Sequence, residues 1–503
     1  MEKLLLGLDN GGTMIKAALF TLDGREIGVA SRTTETSTPH PGWTERDMET
    51  LWEQNCACVR QVLADTGAAP DSIAGVAVCG HGKGLYAWGK DGKPAYPGII
   101  STDNRAWKFP EKWKAEGTHA RLYDRLCQQF MACQQVSLLA WLREHDRKTY
   151  DNIRWAFSVI DYIRYRLAGE AYSEATNISG SGLINVRDAR IDADLLAALG
   201  IPEAVDMIPP IRYSSEKLGA ITRTAAEKTG LRAGTPVAGG MFDIDSCAIA
   251  MSVTKPDDFC TITGTWTINE FISKTPITGT RIAMNSLYAI PGFFLIEESS
   301  SSGAGNLEWV IHNCFHNETV PAGKKLYVSL DEMAASVPAD ECDVYFLPFL
   351  QGSNRHPLAK ASFVGLTSFH TRAHLLRSVY EGVVFSAKSH IDKLLSVRER
   401  PEAVRMAGGA ANSPFWVQLF ADILELPIET VTGVKELGAL GSAMAAAVAA
   451  GIYHDYHEAA SAMVRIAPPV DPDPRMAAIY RAKYEKYTAV CAALDTVWHR
   501  FEV

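Results

Sequence analysis

A chain of 503 residues is too long for one ordinary domain and long enough to bury two or more cores. Hydrophobic residues at 47% and charged residues at 21% are ordinary globular values, which excludes wholesale disorder and a fibrous repeat. A formal net charge of −9, with no run of Lys and Arg, argues against a nucleic-acid partner, so any bound phosphate must be held locally.

The most membrane-like stretch, Ala439 to Ala450, falls short of the ~18 apolar residues a span requires, and no membrane partner is expected. The opening MEKLLLGLDNGG meets an acidic residue and a glycine pair before a signal-type apolar core can form, so a cytoplasmic location is expected. The ten cysteines show no CxxC pair or zinc spacing and read as reduced, buried thiols.

In chain order, residues 4–8 (LLLGL) form an apolar run ending at Asp9, and after Gly11, Gly12 and Thr13 a second apolar run, 14–20, leads to Asp23-Gly24. This predicts strand, polar turn, strand and turn. Asp9 beside that turn supplies the parts needed to hold a hydrated Mg²⁺ while backbone N–H groups approach phosphate oxygens. The same turn needs no ligand in an ordinary hairpin. Lys16 reads either as a phosphate contact or as a solvated strand lysine.

Helical periodicity follows over residues 47–64. Near residue 252 the pattern restarts: FCTIT at 259–263 leads into Gly264-Thr265 and another apolar segment, which suggests two related halves and a second phosphate clamp. Helical periodicity returns over 374–395, 413–424 and 475–499, the last set apart by the connector Pro468 to Pro474. Gly408, Gly409, Ala410 and Asn412 precede a helix with Ser413 in a cap position and Pro414 in its first turn. Such glycines could lie under a flat base or simply make a tight strand-to-helix connection. Strands alternating with helices imply an α/β architecture. Neither a GxxxxGK[ST] loop nor the protein kinase motif set occurs, which leaves a fold with distributed phosphate loops.

The segment Ala361-Ser-Phe-Val-Gly365-Leu366, seven residues, then His374-Leu-Leu-Arg-Ser378-Val-Tyr380-Glu381 resembles the C-terminal signature of the FGGY carbohydrate kinases. LGLDNGGT, PGWTERD, VAGGMFD, ITGTW, AGGAANS and Glu436-Leu-Gly-Ala-Leu-Gly441 follow that family's order. The shorter N-terminal signature is partly kept: Trp141-Leu142-Arg143-Glu144-His145 matches, while Leu138 replaces the expected Lys.

This resemblance implies two actin-like (ribonuclease H-like) α/β domains with a deep interdomain cleft. Residues 1–252 are then the sugar-binding FGGY domain and 253–503 the ATP-binding one. It also implies ATP and Mg²⁺ as cofactors, with Asp9 and Asp243 at the metal, and ATP contacts from Gly11, Gly12, Thr13 and Lys16 and from Gly264, Thr265, Gly305, Gly408, Gly409, Ala410 and Asn412. Asp243 takes the position of the catalytic carboxylate that orients a sugar hydroxyl and accepts its proton. Asp245 is a rival, and also reads as the N-cap of a helix through Ser246 to Ala250.

Sugar selection in the family falls on the segment Cys79-Gly80-His81-Gly82-Lys83-Gly84. There Lys83 can donate to several hydroxyls, Gly82 leaves room beside it, and His81 is either a second contact or a packed loop histidine. Asp103 and Arg105 are further sugar-site candidates by the same resemblance, whereas Trp43, Glu45 and Asp47 read as braces.

GKGL, PGWTERDM, VSLLAWLREH and FLPFLQGSN are most similar to the L-xylulose kinase branch. The substrate implied is L-xylulose, giving L-xylulose 5-phosphate. Another ketopentose, 3-keto-L-gulonate or a sugar alcohol (xylitol, erythritol, glycerol) remain alternatives, as does, in a different class, an actin-like ATPase without sugar kinase activity. A homodimer is a candidate assembly.

Overall fold

The computed structural model describes residues 2–279, 282–315, 320 and 324–501. The apolar run at the start forms β1 (Leu4–Asn10), and the polar turn returns the chain as β2 (Met14–Thr21), followed by β3 (Glu26–Thr33). Asp47 caps α1 (Met48–Thr66) by accepting from the Thr50 N–H, and Gly67 ends that helix at φ 67°, where a side chain would be strained. Then come β4 (Ile73–Gly80), β5 (Lys217–Ala220), β6 (Pro236–Ala238), β7 (Met241–Phe242) and α2 (Asp243–Ala250).

The hairpin motif recurs as β8 (Phe259–Thr263) and β9 (Thr267–Ser273), with β10 (Phe294–Ser300) and α3 (Gly305–Cys314) after it. The remaining elements used below are α4 (Arg372–Leu395), β11 (Val404–Ala407), α5 (Pro414–Leu424), β12 (Ile428–Thr430), α6 (Leu437–Ala449) and α7 (Pro474–Asp495). Ser413 caps α5 through the Trp416 N–H with Pro414 in the first turn, as the sequence predicts.

Two compact units emerge. The first comprises Met1–Thr254, Ile272–Ile296 and Gly433–Arg465; the second comprises Lys255–Phe271, Glu297–Thr432 and Ile466–Val503. Each has the same strand grammar. In the first, β2 runs antiparallel between β1 and β3, and β1 pairs in parallel with β4, which in turn takes β6 and β7 in parallel. In the second, β9 is antiparallel to β8, and β8, β11 and β12 run parallel.

The units are discontinuous, whereas the sequence suggests two continuous halves, 1–252 and 253–503. The physical reason lies in α6, whose small residues let it sit almost on the backbone of the first unit. A Cβ on Gly7 of β1 would fall 1.9 Å from the Ala439 carbonyl oxygen, and one on Gly441 would fall 2.0 Å from that of Ser246 in α2. Contact this close needs glycine on one side. Among the described residues, no helix is long and apolar enough to cross a membrane.

Candidate active site

Three neighbouring parallel strands of the first unit end together. Register places Asp9 of β1 beside Cys79 of β4, and Cys79 beside Met241 of β7; one step further are Asn10, Gly80 and Phe242. The chain then leaves β1 into the Gly11-Gly12-Thr13 turn, β4 into His81-Gly82-Lys83, and β7 directly into Asp243. Carboxyl ends of parallel strands are where α/β sheets gather ligands.

The Asp9 carboxylate has one oxygen, Oδ1, buried without a hydrogen-bond partner, and its Oδ2 lies 3.0 Å from where a Cβ on Gly438 would sit. Burial pushes its pKa up to about 6 against the pull of Lys16. An acceptor-only oxygen with nothing to accept suits a hard cation. Among the described residues, no group of three or more His, Cys, Asp and Glu side chains forms a metal cage, so a Mg²⁺ here would lean on one or two carboxylates and on substrate phosphates.

The turn beyond Asp9 is held from behind. The Gly12 carbonyl accepts from Arg46 Nη2 at 2.6 Å and from Thr34 Oγ1 at 3.3 Å, while nothing lies within 4 Å of where a Gly12 side chain would begin. Lys16 is not simply a solvated strand lysine. It pairs with Glu436 at 2.6 Å, and although burial disfavours its charge, Glu436 and Asp9 keep its pKa above the ordinary lysine value.

Asp243 is the first residue of α2 and half-buried, at the helix end that favours a negative charge. Asp245 is not an N-cap, in contrast to the sequence expectation. The helix begins three residues earlier, which turns Asp245 into its fully buried third position. Ahead of Asp243, the Gly239-Gly240 turn is braced by Arg164, which donates to Gly239 O at 2.8 Å and pairs with Asp161 at 3.0 Å. The Phe242 N–H donates to Thr176 Oγ1, whose hydroxyl donates to Glu174.

In the loop after β4, Lys83 adopts φ 63°, rare for a residue with a side chain, and its Nζ lies 5.9 Å from the Phe242 ring centroid. Gly82 is not open space beside Lys83: a Cβ there would meet the Phe242 ring at 2.5 Å, so its smallness admits that ring. His81 takes the packed alternative. Its Nδ1 meets Gly82 O at 3.1 Å and so carries the proton, while Nε2 accepts from Tyr86 OH at 3.0 Å. Burial, with Arg46 and Lys83 nearby, drops its pKa to about 3 and keeps the ring neutral.

Asp103 and Arg105 bind each other rather than a free site. Arg105 donates from Nε and Nη2 to the two Asp103 oxygens at 3.0 and 2.8 Å, pairs with Glu45 at 2.8 Å, and lies 4.1 Å from the Trp43 ring centroid. The aromatic and acidic braces read at Trp43 and Glu45 thus find their load in Arg105. Arg46 and Tyr86 were not singled out by sequence; a buried Arg following Glu in PGWTERD was the available signal.

The second unit holds a cavity of about 920 Å³. Gly264, Thr265, Gly305, Gly409 and Asn412 line it, joined by Tyr327, Tyr380, Phe415 and Trp416. The β8–β9 turn and the start of α3 are locked together by a hydrogen bond from Ala304 N to Gly264 O at 2.7 Å. Gly408 and Ala410 do not line the cavity. Gly408, at φ 89°, is glycine because a Cβ would fall 2.4 Å from Thr263 O, and Ala410 is fully buried. The cavity's aromatics were legible only in part: Phe415 and Trp416 follow the capped Ser413-Pro414, whereas Tyr380, which donates to Asp331 Oδ1 at 2.6 Å, lies inside a long helix.

Residues 4–250 match the N-terminal domain, and residues 260–450 the C-terminal domain, of the FGGY family of carbohydrate kinases. The chain belongs to that family. It is 36% identical over 496 residues to an L-xylulose/3-keto-L-gulonate kinase of Escherichia coli, covering 98% of each chain. A probable L-xylulose kinase of Pasteurella multocida is 33% identical, over 98% of this chain and 99% of that one. The crystal structure of a xylulose kinase from Rhodospirillum rubrum superposes with a TM-score of 0.86 at 28% identity, over 99% of this chain and 100% of that one. This FGGY protein is therefore a carbohydrate kinase with the two-domain, actin-like α/β fold of its family.

Proposed function

We propose that this kinase transfers the γ-phosphoryl group of ATP to L-xylulose, giving L-xylulose 5-phosphate, with Asp243 as general base. The observation that carries the reading is the convergence of Asp9, Lys83 and Asp243 at the ends of three adjacent strands. A sugar hydroxyl is a poor nucleophile, and Asp243 at the start of α2 orients it and accepts its proton as the phosphoryl group moves. Lys83 donates to sugar oxygens. Asp9 and Asp243 are the residues that would hold Mg²⁺, which when bound neutralises phosphate charge.

On the nucleotide side, the Gly12 turn offers open backbone to phosphate oxygens, and the cavity lined by Tyr380, Phe415 and Trp416 suits a flat base beside Gly409 and Asn412. The sugar assignment draws its support from the 36% identity along the whole chain to a kinase of that name.

The test is sugar-stimulated ADP formation with L-xylulose, D-xylulose, 3-keto-L-gulonate, xylitol, erythritol and glycerol. The reading expects the highest kcat/KM among the pentuloses and alcohols with L-xylulose. ADP formation that no sugar stimulates would sink it in favour of an actin-like ATPase.

A further inference from the structure

Cations inside the first unit are, as a rule, paired. Lys16 has Glu436, Arg105 has Asp103 and Glu45, Arg164 has Asp161, and Arg166 has Glu49. Two depart from this rule, and both flank His81. Among the described residues, Lys83 has neither a carboxylate within ion-pair distance nor a hydrogen-bond acceptor; its one close partner is the face of Phe242 at 5.9 Å. Arg46 is buried at 3% exposure and spends Nη2 on the neutral Gly12 carbonyl, again with no carboxylate among the described residues. His81, held neutral chiefly by burial and in smaller part by Arg46 and Lys83, adds no balancing charge.

A half-buried ammonium without a counter-charge is costly unless something supplies one. Its backbone is also held in the left-handed region at φ 63°, a strain that persists where the surroundings demand a particular side-chain placement. The residue is one strand end away from Asp243, so a molecule presenting a hydroxyl to Asp243 can present a second group to Lys83.

We propose that Lys83 is the specificity residue that admits a sugar acid to this site, its ammonium pairing with the carboxylate of a keto-aldonate while neutral ketoses receive only its ordinary hydrogen bonds. This rests on the sugar-kinase reading of the same site and sharpens it from a single sugar to two charge classes. An ammonium–carboxylate pair has both partners ionised, whereas an ammonium donating to a hydroxyl has one, so the acid has more to lose when the charge is removed.

The experiment compares kcat/KM for 3-keto-L-gulonate and L-xylulose in the wild type and in Lys83→Met, Lys83→Arg and Lys83→Gly. Wild type should phosphorylate both. Lys83→Met should cost about 10–150-fold on the acid and about 2–10-fold on L-xylulose, so that the ratio shifts against the acid. Lys83→Arg should keep the acid, and added salt should raise KM for the acid alone. Lys83→Gly removes the ammonium while relaxing the strained backbone; the same ratio shift there separates charge loss from misfolding. Equal losses on both substrates, or a wild type that takes L-xylulose and refuses the acid, overturn the inference while leaving the kinase reading intact. Failure with every sugar overturns both.

Discussion

The two hairpin turns, Asp9–Thr13 in the first unit and Thr263–Thr265 in the second, start from one pattern and end in different chemistry. Each links two antiparallel strands beside a parallel neighbour. The first carries a carboxylate with a buried, unpartnered oxygen; the second carries no acid and opens on a cavity walled by Tyr327, Tyr380, Phe415 and Trp416. The repeated scaffold thus differs by a few side chains, one turn carrying a buried charge and the other opening on an aromatic-walled cavity.

That contrast is broken most severely at Asp243. Asp243→Asn should lower kcat by about 10²–10⁴-fold with sugar and ATP KM little changed, in steady-state ADP release. Asp245→Asn, inside α2, should register in thermal stability before it registers in kcat. A stability-first loss for Asp243 would reverse the assignment.

Next in size is Gly441→Ala. The new Cβ would press on the Ser246 carbonyl, and overpacking of this kind costs about 1–3 kcal/mol. A lowered melting temperature accompanied by reduced kcat is expected, because α2 carries both Ser246 and Asp243. An unchanged melting temperature would mean that α6 retreats freely.

In the second unit, Asn412→Ala should raise the ATP KM by about 2–10-fold, the worth of one neutral hydrogen bond, and leave the sugar KM alone. An effect on sugar KM instead would erase the division of labour between the turns.

The smallest effect concerns pH. Burial pushes the Glu174 carboxyl up to about 8, from an ordinary 4.5. The folded protein therefore holds a proton that the unfolded chain releases, and the stability this contributes, present below about pH 4.5, is lost as pH rises toward 8. Glu174→Gln keeps an acceptor for Thr176 and Asn177 without the titration, so its melting temperature should be flatter over that window and exceed the wild type's near pH 8. Parallel wild-type and variant curves would show that Glu174 is ionised in the fold.

Much of this was legible in the sequence because it depends on short-range rules. The hairpin runs, the Ser413 cap and the FGGY signatures all sit within a few residues of their consequences, whereas Asp47, read as a brace, caps α1. Partnerships across many residues were not. Lys16 meets Glu436 across 420 positions, and nothing local marks Glu436 as its counter-ion. Arg105 was a sugar-site candidate by resemblance of position, and its contacts with the Trp43 ring and the Glu45 carboxylate, some sixty residues away, have no local signal. Asp245 read as a cap because an Asp ahead of Ser246 has the cap chemistry, whereas the helix starts three residues earlier, which exchanges the cap for an interior position.

The return of residues 433–465 to the first unit and of 466–503 to the second sets the order in which the protein can be born. During synthesis, β1 and β4 leave the ribosome more than 300 residues before α6, so their α6-facing backbone must wait uncovered. The second unit waits longer still, since Lys483 of α7 completes the buried ion pair with Glu381 of α4. Neither unit can close while the tail is missing. Domains ordinarily fold one after another as they emerge; here the two mature almost together, once the last turns of α7 are made.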